Sequence, residues 1–78
     1  MPLYYFHINN DDVTEDFEGT ELADDAAARA YAIAAARALA AERVHMGHLG
    51  LSHRIELESA DREKVMTVTF AEAVEIRP

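Results

Sequence analysis

Seventy-eight residues with seven basic and fifteen acidic side chains carry a formal net charge of −8, half of them are hydrophobic, and none is cysteine. That composition describes one small domain with no disulfide and no thiolate metal site, whose core leaves only roughly 3–5 kcal/mol unless good local propensity or self-association helps. Phosphate binding rests on Lys and Arg displacing counterions, and one lysine with six scattered arginines is a poor set for it, which argues against nucleic acid and anionic membranes as partners.

Met1 to Asn10 has no basic region followed by a continuous apolar stretch, so it does not read as a signal peptide, and a cytoplasmic protein is expected. Leu3 to Ile8 is aromatic and branched, which predicts a strand. Alternation sets Tyr4, Phe6 and Ile8 on one face and Leu3, Tyr5 and His7 on the other. Asn9 to Asp12 predicts a turn, because Asn and Asp tolerate left-handed backbone and bond to it locally. A second, weaker strand is expected from about Val13 to Phe17, closed by Gly19, with Leu22 packing on the next element.

That element is the strongest signal in the chain. Twelve of the nineteen residues from Ala23 to Ala41 are alanine, the best helix former and nearly the smallest side chain. Asp24 is the expected N-cap and Asp25 adds favourable charge in the first turn. The helix is predicted to reach about Arg43 or Val44, with Arg43 and His45 suiting its carbonyl end and Gly47 taking the left-handed conformation beyond it. At 100° per residue Ala28, Ala32, Ala35, Ala36 and Leu39 share one stripe, Tyr31 and Ile33 flank it on opposite sides, and Arg29 and Arg37 lean to solvent. Arg29 and Arg37 also interrupt the run too often for a membrane span.

His45 to Ser52 reads as a loop. A third strand is predicted over about Arg54 to Glu58 with Ile55 and Leu57 inward, then a polar turn from Ser59 to Lys64. A fourth strand, Val65 to Phe70, sets Met66, Val68 and Phe70 against Val65, Thr67 and Thr69. Ala71 to Ile76 suits either a helical turn or a strand extension. The whole reads as a single α+β domain, ββαββ, a small antiparallel sheet with one alanine-rich helix on one face. Strand order stays open: 2-1-4-3 and other orders satisfy the pattern.

Little in this pattern points to catalysis. The acidic stretch Asn9 to Glu18 lacks the glycine that a calcium loop places at its sharp turn. Ser52 and Ser59 have no nucleophile elbow around them. Gly19, Gly47 and Gly50 match neither dinucleotide nor phosphate-loop spacing. Two candidate sites remain. His45, His48 and His53, spaced H-x2-H-x4-H, are the one cluster of metal-ligand types, and neutral imidazole is a good zinc or nickel ligand. Near a helix end, the same residues are also what the dipole favours. The second site is the sheet face away from the helix, where Leu3, Tyr5 and His7 are joined by Thr67 and Thr69. Exposed tyrosine suits an interface, and the same surface is equally what any alternating strand produces.

The opening MPLYYFHI, the Asp16 to Leu22 stretch DFEGTEL, the DDAAAR of Asp24 to Arg29 and the Val68 to Val74 stretch VTFAEAV resemble a family of small alphaproteobacterial proteins of unknown function, DUF6894-like. The resemblance implies a ββαββ domain of cytosolic bacterial origin and no established activity. It carries apolar and turn positions rather than reactive groups, and the histidines from His45 to His53 depart from it. The expectation is a non-catalytic interaction or regulatory module that pairs with itself as a homodimer, with no cofactor. The alternative is a metal-binding or metal-responsive protein using the histidine loop.

Overall fold

The computed structural model describes all of Met1–Pro78. Its elements are β1 (Leu3–Asn9), β2 (Val13–Thr14), β3 (Thr20–Glu21), α1 (Asp25–His45), β4 (Arg54–Ser59), β5 (Lys64–Thr69) and α2 (Phe70–Ala73). The architecture is α+β, with the expected ββαββ order in outline. All pairings are antiparallel, in the order β2-β1-β4-β5, and β3 shares with β2 the outer edge of β1. In terms of the four strands expected from the sequence the order is 2-1-3-4, one of those left open.

The alternation of β1, β4 and β5 sends every second side chain under the helix. Tyr4, Phe6, Ile55, Leu57, Val68 and Phe70 are buried there, against Ala28, Ala32, Ala36 and Ala40 of α1. Ala35 and Leu39 are half-buried beside this stripe, so the predicted face is right and its centre is shifted toward Ala40. Methyl-sized side chains let the helix axis approach the sheet closely, and the larger strand residues supply the apolar area. Tyr31 flanks the stripe over Phe6, ring centroids 4.8 Å apart, and Ile33 packs on the core on the other flank.

Asp24 caps the helix as expected, its side chain accepting from the Ala27 N–H at 2.8 Å. The far end runs to His45. The Gly47 N–H then donates to Val44 and the His48 N–H to Arg43, with Gly47 at φ +99, the double closure of a Schellman motif.

One expectation changes, and one left open is decided. The second strand does not run from Val13 to Phe17. It stops at Thr14, and the chain rejoins β1 only at Thr20. Glu15 to Gly19 therefore stand opposite Tyr5 to His7, five residues against three, and cannot continue the ladder. The tail is a helical turn: Thr69 accepts from the Glu72 N–H, and the Glu72 carboxylate accepts from the Thr69 N–H, a complete capping box. α2 lies beside α1, where Arg37, exposed as expected, donates from Nε to the Ala73 carbonyl at 2.6 Å, and Arg29 approaches Glu72 at 3.9 Å.

Candidate functional site

The open face of the sheet is built from the residues that alternate away from α1. Strand register sets Tyr5 opposite Glu58, His7 opposite Glu56, and Glu56 in turn opposite Thr67. Like-for-like apolar pairs lie beneath, so the two carboxylates of β4 and the aromatic rings of β1 necessarily share the outer surface. His7, Asn9, Glu15, Glu56, Glu58 and Arg62 ring a shallow groove of about 270 Å³, with Val13 at its rim.

His7 is held at both ring nitrogens. The Asp16 backbone N–H donates to Nδ1 at 3.1 Å, so the ring proton sits on Nε2, which donates to Glu58 Oε1 at 2.7 Å. Glu58 is shared with Arg62 at 3.6 Å, and the Arg62 guanidinium lies 4.0 Å above the centre of the Tyr5 ring. Arg62 reaches that place from a turn with φ +66, an uncommon conformation for a residue with a β-carbon. Glu56 is bracketed by Arg54 at 3.3 Å and Lys64 at 3.8 Å. The Arg54 hydrogen bond, working against burial and joined by the charges of Lys64 and Arg54, holds its carboxyl below the ordinary value. The face is thus a zwitterionic mesh in which each cation answers a neighbouring carboxylate.

One carboxylate outside the strands organises this end of the fold. Asp16 Oδ2 accepts from the Phe6 N–H at 3.1 Å, while Oδ1 accepts from Glu18 and Gly19 at 3.1 and 3.0 Å. Burial works against its charge. The N–H groups of Gly19, Phe6 and Glu18, with His7 close by, outweigh that cost and hold the carboxyl below its ordinary value. Gly19 is required there twice over. Its φ is +76, and a β-carbon would come within 2.9 Å of the Leu3 side chain and 3.0 Å of the Tyr4 carbonyl oxygen.

A second depression, about 370 Å³, lies at the opposite end of β1 among Pro2, Tyr4, Asp25, Ser59 and Asp61. The Tyr4 hydroxyl donates to Asp25 at 2.6 Å, pinning the first turn of α1 to β1. That hydrogen bond first, then burial and the charges of Asp25 and Asp24, push the phenol up to about 12.

The predicted interface residues share one face but not one fate. Leu3, Tyr5, His7, Thr67 and Thr69 are all half-buried. Leu3 is packed under Gly19, Tyr5 lies under Arg62, His7 is bonded on both sides, and Thr69 caps α2. The Thr67 hydroxyl makes no hydrogen bond within the chain. The histidines of the proposed metal loop are not gathered. His45 ends α1 and His48 follows it, both exposed, whereas His53 tucks under Gly50 and meets the edge of Phe70 at 5.6 Å. His53 Nε2 lies 3.5 Å from Asp11, and no three His, Asp or Glu side chains are disposed to hold a metal. The cause is the Schellman closure at Gly47, which turns the chain before His48 could share a helical face with His45.

Reading the chain alone missed Asp16, Glu58 and Arg62. For Asp16 a signal existed: an Asp three residues before a glycine, where alternation falters, is the pattern of a side chain that bonds its own backbone. Glu58 and Arg62 leave no such local trace.

No helix is long and apolar enough to cross a membrane. Residues 3–71 match the family described as Domain of unknown function (DUF6894). No curated protein and no solved structure matches the chain.

Proposed function

The chain belongs to the DUF6894 family, a domain of unknown function, and we propose that it is a small, non-catalytic interaction module that works as a homodimer. The observation that carries this reading is the meagre core. Eleven of 78 residues are buried and five of those are alanine, while Val13, Phe17, Tyr31, Val44, Met46, Leu51 and Ile76 remain exposed. For a chain of this size without disulfides, burying surface against a second copy is one of the few routes to added stability.

The non-catalytic part is supported by the open face, where His7, Glu56 and Glu58 are already engaged by Asp16, Arg54, Lys64 and Arg62. The net charge of −8 argues against nucleic acid and anionic membranes as partners. The metal reading of His45, His48 and His53 has no geometric support of this kind.

Native mass spectrometry of untagged protein, with melting followed over a range of concentrations, tests the proposal. The expected result is a dimer whose melting temperature rises with concentration. A monomer at micromolar concentration with a concentration-independent melting temperature overturns it.

A further inference from the structure

Of the long strands β1, β4 and β5, β1 and β5 lie outermost, and only β1 has its outer side taken up. On the outer side of β1, β2 and β3 take the two ends and the Asp16 carboxylate takes the Phe6 N–H between them. On the outer side of β5 no strand pairs. The Phe70 N–H donates to the His53 carbonyl at 2.8 Å, which makes 70 and 53 a hydrogen-bonded pair and fixes the alternation along β5. Val68 and Met66 turn their backbone groups toward β4, and Thr67 turns its N–H and C=O outward. No hydrogen bond within the chain takes up either outward group of Thr67.

This window is bounded on both sides. Val65 is the extra residue of a bulge, since Leu57 pairs with Met66 but Glu58 with Lys64. At the other end the Thr69 N–H is spent on Glu72. We propose that β5 pairs with β5 of a second copy, antiparallel about a two-fold axis through Thr67, making one continuous sheet across the dimer. This rests on the homodimer reading above and names its contact.

The register follows from parity. With Thr67 opposite Thr67 of the other copy, the two exchange both outward hydrogen bonds. Met66 then lies beside Val68 of the other copy on the helix-covered face, so the apolar face continues across the contact, with the bulged Val65, itself packed against the core, at its margin. Charge agrees. The antiparallel self-pair brings the Lys64 end of one strand to the Glu72 end of the other, twice, and relieves part of the repulsion between two acidic chains.

The test uses three variants of the full chain. Thr67→Pro removes the outward N–H without touching a bond to β4, so the far-ultraviolet circular dichroism should match wild type while dimer affinity falls about 30-fold or more, the equivalent of two lost hydrogen bonds. Thr67→Cys should form a disulfide-linked dimer in air, because hydrogen-bonded antiparallel partners lie about 5.5 Å apart, within disulfide range. Thr14→Cys, in β2 on the far side of the sheet, should stay reduced. With no native cysteine the products are unambiguous. If Thr67→Pro fails to fold, the two cysteine variants decide. A dimer that persists in folded Thr67→Pro, or that crosslinks through Thr14 and not Thr67, overturns the edge assignment and leaves the homodimer standing. A monomeric wild type overturns both.

Discussion

The outer sides of β1 and β5 meet one problem in opposite ways. A strand edge is a row of unmet N–H and C=O groups, and proteins close it or use it. Along β1 the chain closes it with its own backbone, in two short strands, and fills the gap with a carboxylate that accepts three N–H donors. Along β5 a bulge and a capping box shorten the free stretch until Thr67 is its centre. Self-closure costs conformational freedom and the partial desolvation of a charge. The open edge saves that cost and leaves a short, register-specific template.

The largest test of this contrast is Asp16→Ala. It strands the Phe6 N–H and removes the ties to Glu18 and Gly19, with an expected loss of about 3 kcal/mol, most of the stability of a chain this small. Chemical denaturation measures it, and a loss below about 0.5 kcal/mol would mean the closed edge does not depend on the carboxylate.

The same group should be visible in pH dependence. Its carboxyl titrates below the ordinary value in the folded protein, so its contribution is complete above about pH 4 and is lost as pH falls through the lowered folded value. Urea midpoints from neutral to acid pH should fall less steeply in Asp16→Asn than in wild type, and equal slopes would contradict the assignment.

Gly19→Ala should cost about 1–2 kcal/mol, from left-handed backbone strain and the crowded Leu3 side chain. Thr67→Pro, in the monomeric state, should cost under about 1 kcal/mol, because no internal ladder bond is lost. If it cost as much as Asp16→Ala, the outward orientation of Thr67 would be wrong. The smallest effect is spectroscopic. One phenol, that of Tyr4, should ionise only near pH 12, and Tyr4→Phe should remove that step from the ultraviolet titration. Since the folded pKa is raised, what Tyr4 adds is intact below pH 10 and disappears between 10 and about 12.

Much of the fold is legible in the residues. Alternation in Leu3 to Ile8, Arg54 to Glu58 and Val65 to Phe70 states which side chains go inward, and the alanines with Asp24 and Gly47 state where the helix starts, faces and stops. The open face was legible too, but only as a face. That His7 would be held by Asp16 and Glu58, or Tyr5 covered by Arg62, depends on residues nine to fifty-seven positions away in the chain. The histidine spacing suggested a site that the turn at Gly47 disperses.

What the sequence by itself determined are the elements and their faces, because periodicity and capping act over a few residues and are written there. What only the tertiary structure decided are the strand order, the break in the second strand, the bond from Asp16 to the Phe6 N–H and the free edge at Thr67. Each of these is a competition for backbone hydrogen bonds between segments far apart in the chain, and its outcome is set when the segments meet.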